Sequence, residues 1–270
     1  MNNKILTNLI VFSTLLVCFL LVVQPLKSAE LPKEIIGKDG VKMVLIPAGE
    51  FLMGSPEGEG RPQEHPRHKI YLDAYYIDKC EITVAQYKKF CEMTGRRMPI
   101  LPSWSKENHP IIKVDWTDAV AYARYFNERL PTEAEWEKAC CADSATNYSF
   151  GDSKTKLGEY AWYHDNSAHK THPVGSKKPN AFGVYDMHGS VFEWCSDWFN
   201  IPDIDNATTY YSRSPFRNPQ GPSSGQYRVK RGGSWYSGSD SCRCASRSYS
   251  DPSYGFSDYG FRCVLPAGAK

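Results

Sequence analysis

Apolar and polar positions follow a short period early in the chain and change to a helical period further on. Met43–Pro47 is a short apolar run, and Ala48–Gly54 continues it after a turn. Lys69–Ile77 alternates in part and is rich in Tyr and Ile, so all three segments predict strands. Residues 55–68, SPEGEGRPQEHPRH, are polar with Gly and Pro and predict a loop. Thr83-Val84-Ala85-Gln86 has the form of a capping box. A threonine hydroxyl there accepts from the backbone while the glutamine reaches back, which predicts a helix to about Met93, stopped by Gly95. A second helix fits Thr117 to Asn127. A third follows a second capping box, Thr132-Glu133-Ala134-Glu135, and ends near Cys140 or Cys141. Beyond that point the helical period stops. Residues 142–270 are rich in Gly, Ser, Asn, Pro and aromatics, which predicts short strands among long loops. With no regular repeat and no obvious linker, the pattern gives one domain rather than two.

Residues 1–29 stand apart. Lys4 precedes an apolar stretch from Leu9 to Val23, and Ser28-Ala29 closes the segment. This reads as a secretory signal peptide, with an uncleaved membrane anchor as the alternative. Residues 30–42 then form a leader and 43–266 the domain. The expected location is secreted, periplasmic or cell surface, with membrane contact only through an uncleaved N-terminal segment. A net charge of +2 gives no field to draw in nucleic acid, which is excluded as a partner. Past the leader the cysteines are Cys80, Cys91, Cys140, Cys141, Cys195, Cys242, Cys244 and Cys263. In an exported chain they read as disulfides, and no CxxC pair suggests a zinc site.

Several segments in order carry a resemblance. They are Met43–Gly54 (MVLIPAGEFLMG), Tyr76–Tyr87 (YIDKCEITVAQY), Arg129–Glu137 (RLPTEAEWE), Pro179–Gly189 (PNAFGVYDMHG), Val191–Trp198 (VFEWCSDW), Arg231–Trp235 (RGGSW) and Gly260-Phe261-Arg262. Together they resemble the formylglycine-generating enzyme family, also called the sulfatase-modifying factor domain, over about residues 41–266. The resemblance implies a C-type-lectin-like α+β domain with much irregular structure. It also implies a Cys140–Cys244 disulfide. Cys263 matches a second structural cysteine whose usual partner position is Ala123 here.

Family oxidases convert a cysteine in a sulfatase Cys-x-Pro-x-Arg motif to formylglycine with Cu(I) and O₂. They hold the copper on two cysteines that follow Gly-Gly-Ser, since soft thiolates select Cu(I). In this chain Gly232-Gly233-Ser234 is followed by Trp235–Ser241, which contains no cysteine. If the chain is an oxidase, Ser234 and Cys242 are the catalytic candidates, and copper is the cofactor. The resemblance also places calcium at a Gly-Asn-x-x-Glu stretch, here Gly189-Ser190-Val191-Phe192-Glu193, and near Asn166; the alternative is that both stretches are loops held by their own hydrogen bonds. His65, His68, His169 and His172 have metal-like spacing but read as exposed loop histidines. Glu135 reads as the capping-box residue, and Glu133 and Glu137 as charges favoured by the helix dipole.

Residues 236–259, YSGSDSCRCASRSYSDPSYGFSDY, contain no Lys, Glu, Gln, Met or Trp. Every residue there has a codon ending in a pyrimidine, the alphabet expected if asparagine codons were randomised at their adenines. The segment resembles the variable region of retroelement-diversified lectin-fold proteins; a plain Ser/Tyr-rich loop of a non-oxidase member is the other reading. Either way, Tyr offers contact area at low entropy cost and Ser and Gly adapt. The expected function is binding of a protein or glycan ligand. The candidate contacts are Trp235, Tyr236, Asp240, Arg243, Arg247, Tyr249, Tyr254, Phe256 and Tyr259.

Overall fold

The structure is a computed structural model that describes residues 31–200 and 210–268. The expected signal peptide lies outside the described residues. In chain order the elements are β1 (Glu34–Ile36), β2 (Lys42–Ile46), β3 (Gly49–Met53), β4 (His68–Leu72), β5 (Tyr75–Asp78), α1 (Val84–Thr94), α2 (Trp116–Tyr125), α3 (Glu133–Cys141), α4 (Leu157–Tyr160), β6 (Phe192–Phe199), β7 (Tyr227–Arg231), β8 (Arg247–Ser250), β9 (Tyr259–Gly260) and β10 (Val264–Pro266). An antiparallel sheet runs β1-β2-β5-β10, so the last strand returns to the first sheet. β3 and β4 form a hairpin, and a second four-stranded sheet runs β8-β7-β6-β9.

Both capping boxes form. Thr83 Oγ1 accepts from Gln86 N at 3.3 Å while Gln86 Oε1 accepts from Thr83 N at 2.7 Å. Gly95 closes α1 at φ 72°, a left-handed value that suits glycine. α2 starts one residue earlier than the pattern gives, because Asp115 rather than a threonine caps it, accepting from Asp118 N at 2.7 Å. The expected single strand 69–77 is two strands in different sheets. The break falls at Asp73, whose backbone N–H donates to Asn218 Oδ1 at 2.9 Å and whose carboxylate accepts from Asn218 Nδ2 at 2.7 Å and from Arg217.

Every residue of α3 is buried, including Glu133, Glu135, Glu137 and Lys138. A helix with that many charges can be sunk in a core only if they are paired. Arg231 on β7 donates to Glu137 Oε2 at 2.5 Å and lies 3.2 Å from Glu133. Arg247 on β8 donates to Glu133, and Tyr211 Oη donates to it at 2.7 Å. Gly54 N donates to Glu137 Oε1 at 2.7 Å. Lys138 reaches the Pro47 and Gly49 carbonyls at 2.7 and 3.0 Å. Glu135 serves its cap and also takes a bidentate pair from Arg129 at 2.6 and 2.7 Å. Burial pushes the Glu133 carboxyl up, but Arg247 and Arg231 together outweigh it and hold Glu133 below the usual range. Glu133 and Glu137 are therefore halves of buried ion pairs, not surface charges on a helix dipole.

A second pair joins the two sheets. Arg262, just before β10, donates to both oxygens of Glu193 on β6 at 2.7 Å, and Trp136 Nε1 donates to the same carboxylate at 2.7 Å. Around these pairs sit two apolar clusters. One packs α3 against β2, β4, β5 and β7; the other packs α1 and α2 with Trp194 and Phe261. Removing one member of a buried pair leaves its partner charged and unpaired. Arg231→Ala is therefore expected to lower unfolding free energy by about 3–5 kcal/mol, read by denaturant titration. A loss under about 1 kcal/mol would mean that the pair contributes no more than a surface bridge.

Candidate ligand-binding surface

The segment 236–259 divides into an exposed part and a structural part. Tyr236, Tyr254 and Phe256 are 63%, 55% and 49% exposed, which is high for large apolar side chains. Tyr236 stands beside Trp235, ring centroids 5.5 Å apart, and Trp235 meets Trp104 edge-on at 6.1 Å. His164 and His169 face Tyr236 at 6.2 and 6.3 Å. Trp235 is anchored by its Nε1 donating to Ser257 O at 3.0 Å. Tyr254 and Phe256 pair at 5.8 Å, and Phe256 rests on Tyr259 at 5.0 Å. Asp240 is exposed on the same segment.

Four expected contact residues belong to the scaffold instead. Arg247 is 1% exposed and tied to Glu133. Tyr249 stacks on Phe199 at 4.4 Å, and Tyr259 packs on Trp194 at 5.3 Å. Arg243 makes a bidentate pair with Glu64 at 2.9 Å to both oxygens. Strand alternation and partners far away in sequence turn these side chains inward. They leave the exposed aromatics on a base that cannot easily move.

The oxidase candidates are sealed. Cys242 is fully buried beside Tyr148, Leu157 and Ala161, with its thiol donating to Gly238 O at 3.6 Å. Burial, helped by the Asp240 charge, pushes that thiol up to about 12. Gly233, at φ 75°, lies so close that a Cβ there would stand 2.8 Å from the Cys242 sulfur. Ser234 Oγ donates to Asp258 Oδ2 at 3.0 Å and lies 3.0 Å from Ser237 Oγ. Its hydroxyl ties two loops together. A Cu(I) site needs two accessible thiolates. A protonated, buried Cys242 does not fit that requirement, and it belongs to neither cluster of three metal-type donors found among the described residues.

The side chains expected at calcium are also engaged. Glu193 is held by Arg262 and Trp136. Asn166 closes its own loop, accepting from Tyr163 N and donating to Ala161 O, both at 2.9 Å. Ser190 adopts φ 62° and donates its N–H to Trp162 O at 2.7 Å. A Cβ at Gly189 would stand 2.4 Å from that same Trp162 carbonyl, so the turn requires glycine. In the structure these stretches are held by their own hydrogen bonds and by the Arg262–Glu193 pair.

The expected Cys140–Cys244 disulfide is not formed. All eight cysteines from Cys80 onward are free thiols. Cys140, Cys244 and His188 gather within 4.8 Å, but Cys141 also competes for Cys244, and Cys140 donates to Met187 O at 3.5 Å. The loop histidines do not converge: His65 and His68 bond nearby carbonyls, and His172 stacks on Trp162 at 3.7 Å. Sequence reasoning missed a polar cleft of about 420 Å³ at the C-terminal end of α3, lined by Ser55, Arg67, Glu137, Cys141, Ser144 and Asn147 among others. Its walls come from four separate stretches, and no local motif marks it.

Fold and surface together define a C-type-lectin-like domain with a charge-paired interior and an aromatic outer loop. The profile of the sulfatase-modifying factor enzyme 1-like domain matches residues 28–267, and the chain belongs to that family. It is 34% identical to the formylglycine-generating enzyme of Streptomyces coelicolor, over 83% of this chain and 89% of that protein. It is 36% identical to the serine/threonine-protein kinase pkn1 of Chlamydia caviae over 83% of this chain, but spans only 38% of that protein's length. The solved structure of Treponema denticola variable protein 1 superposes with a TM-score of 0.70 at 28% identity, covering 84% of this chain and 95% of that one.

Buried thiols react slowly because the thiolate is the nucleophile. In the native protein at pH 8, Cys242 should escape iodoacetamide in peptide mapping and become labelled after denaturation. Native labelling of Cys242 would contradict the sealed geometry.

Proposed function

We propose that this protein is an exported binding module. It presents Tyr236, backed by Trp235, and Tyr254 and Phe256, backed by Tyr259, to a protein or glycan ligand, and it performs no copper oxidation. The observation that carries this reading is the contrast within one segment. Three of its five large aromatics are exposed while both of its thiols, Cys242 and Cys244, are buried. Exposed aromatic clusters on a rigid base mark interaction sites, and Tyr with Ser and Gly gives large contact area with little ordering cost. The likeness to a protein called a variable protein supports reading the segment as a recognition surface. Calcium, where it contributes at all, would have to use backbone carbonyls.

The alternative is a formylglycine-generating oxidase. The 34% identity to the Streptomyces coelicolor enzyme favours it.

The reading is tested on glycan and secreted-protein arrays with the mature protein and with the Tyr236→Ala/Tyr254→Ala/Phe256→Ala variant. The wild type is expected to bind a discrete set. The variant should bind at least tenfold more weakly at unchanged thermal stability, because exposed side chains contribute little to folding. Undiminished binding by the variant would overturn the assignment.

A further inference from the structure

Asp78 at the end of β5, Glu128 after α2 and Cys263 before β10 come together in the structure. One ligand-type atom from each lies within 4.8 Å of the others. Asp78 and Cys263 are 0% exposed and Glu128 is 6% exposed. Asp78 Oδ2 accepts from Cys263 N at 2.6 Å, but Asp78 Oδ1 and both oxygens of Glu128 have no well-formed hydrogen bond. Asp39 adds a third carboxylate to the same field. Its own oxygens are taken by Val41 N at 2.9 Å and Tyr122 Oη at 3.0 Å. The nearest positive charges do not neutralise the group. Arg262 is paired with Glu193 and donates only to the Asp78 carbonyl at 3.0 Å, and Lys38 is exposed.

Burial, with the Asp39 charge, pushes Glu128 up to about 8, and the Cys263 thiol and the Lys38 amide relieve it only in part. Burial, with Glu128 and Asp39, raises Asp78 as well. The buried carboxylates of Glu133 and Glu193 are met by guanidinium groups, whereas this cluster, like the buried Glu81 and Asp186, has no ion-pair partner among the described residues. A fully buried Asp78 Oδ1 without a partner, beside a Glu128 carboxylate that has only weak ones, costs free energy unless something binds there.

We propose that Asp78, Glu128 and Cys263 form a binding site for a divalent zinc-type cation. The donor set is one soft thiolate and two carboxylates, which suits Zn²⁺ and disfavours Ca²⁺ and Mg²⁺, the oxygen-only ions. Tetrahedral zinc sets its donors roughly 3.5 Å apart, within small side-chain rotations of the spacing seen. A cleft of about 330 Å³, lined by Arg124, Asn127, Glu128, Arg129 and Val264 among others, borders the site on the Glu128 side. The Glu128 N–H bonds Ala123 O at 2.8 Å, so the ion would fasten the end of α2 to β5 and β10. Binding displaces the Cys263 thiol proton and the proton held on the Asp78 and Glu128 carboxyl groups to solvent, and involves no redox change.

The test titrates Co²⁺, a coloured zinc substitute, into the metal-free full-length protein. One equivalent should produce a thiolate-to-cobalt charge-transfer band in the near ultraviolet, and Zn²⁺ should abolish it. Cys263→Ser should lose that band. Glu128→Gln should weaken binding at least tenfold with unchanged far-ultraviolet circular dichroism, which keeps the proposal testable if the serine variant misfolds. Absence of the band would overturn the assignment. So would a band that survives both substitutions and disappears in Cys140→Ser, which would move the ion to the Cys140–His188–Cys244 group.

Discussion

A set of guanidinium–carboxylate pairs buried around one helix holds the rest of this structure in place. α3 has no exposed face, so each of its charges must be answered from another element. Arg231 and Arg247 answer Glu133 and Glu137 from the second sheet, and Arg129 answers Glu135. Arg262 and Trp136 meet at Glu193, linking the last segment of the chain to the middle of β6. Such pairs are directional and cannot slide as an apolar contact can, so they fix the register of the two sheets against the helix.

The motifs that carry the family resemblance are largely these same residues. Arg129, Glu133, Trp136 and Glu137 belong to RLPTEAEWE, Glu193 to VFEW, Arg231 to RGGSW and Arg262 to Gly-Phe-Arg. They specify a scaffold, and a scaffold does not determine an activity. Between Ser234 and Phe261 the chain is anchored at both ends by the pairs and carries exposed aromatics between them. In this chain that region contains two thiols, Cys242 and Cys244, both buried.

The local part of the fold was legible in the sequence. The capping boxes at Thr83 and Thr132 and the glycine at 95 act through neighbours three or four residues away, and they gave α1 and α3 nearly to the residue. What was not legible depended on distant partners. Glu133 and Glu137 looked like dipole charges because Arg231 lies 94 residues beyond Glu137. Lys69–Ile77 looked like one strand because the residues that break it, Arg217 and Asn218, are 144 and 145 positions from Asp73. Tyr249 and Tyr259 looked like Tyr236 and Tyr254 in composition, and only the stacking on Phe199 and Trp194 separates structural from exposed aromatics. The acidic cluster at Asp78 and Glu128 carried no spacing signal at all, since three elements contribute one residue each.

The central claim is that this chain keeps the family's charge-paired scaffold without its oxidising centre. The most direct test incubates the mature protein with Cu(I), O₂ and a peptide carrying Cys-x-Pro-x-Arg, and follows the peptide by mass spectrometry. The account predicts that the cysteine stays a thiol while a formylglycine-generating oxidase converts the same peptide in parallel. Conversion of the cysteine to the aldehyde by this protein would contradict it.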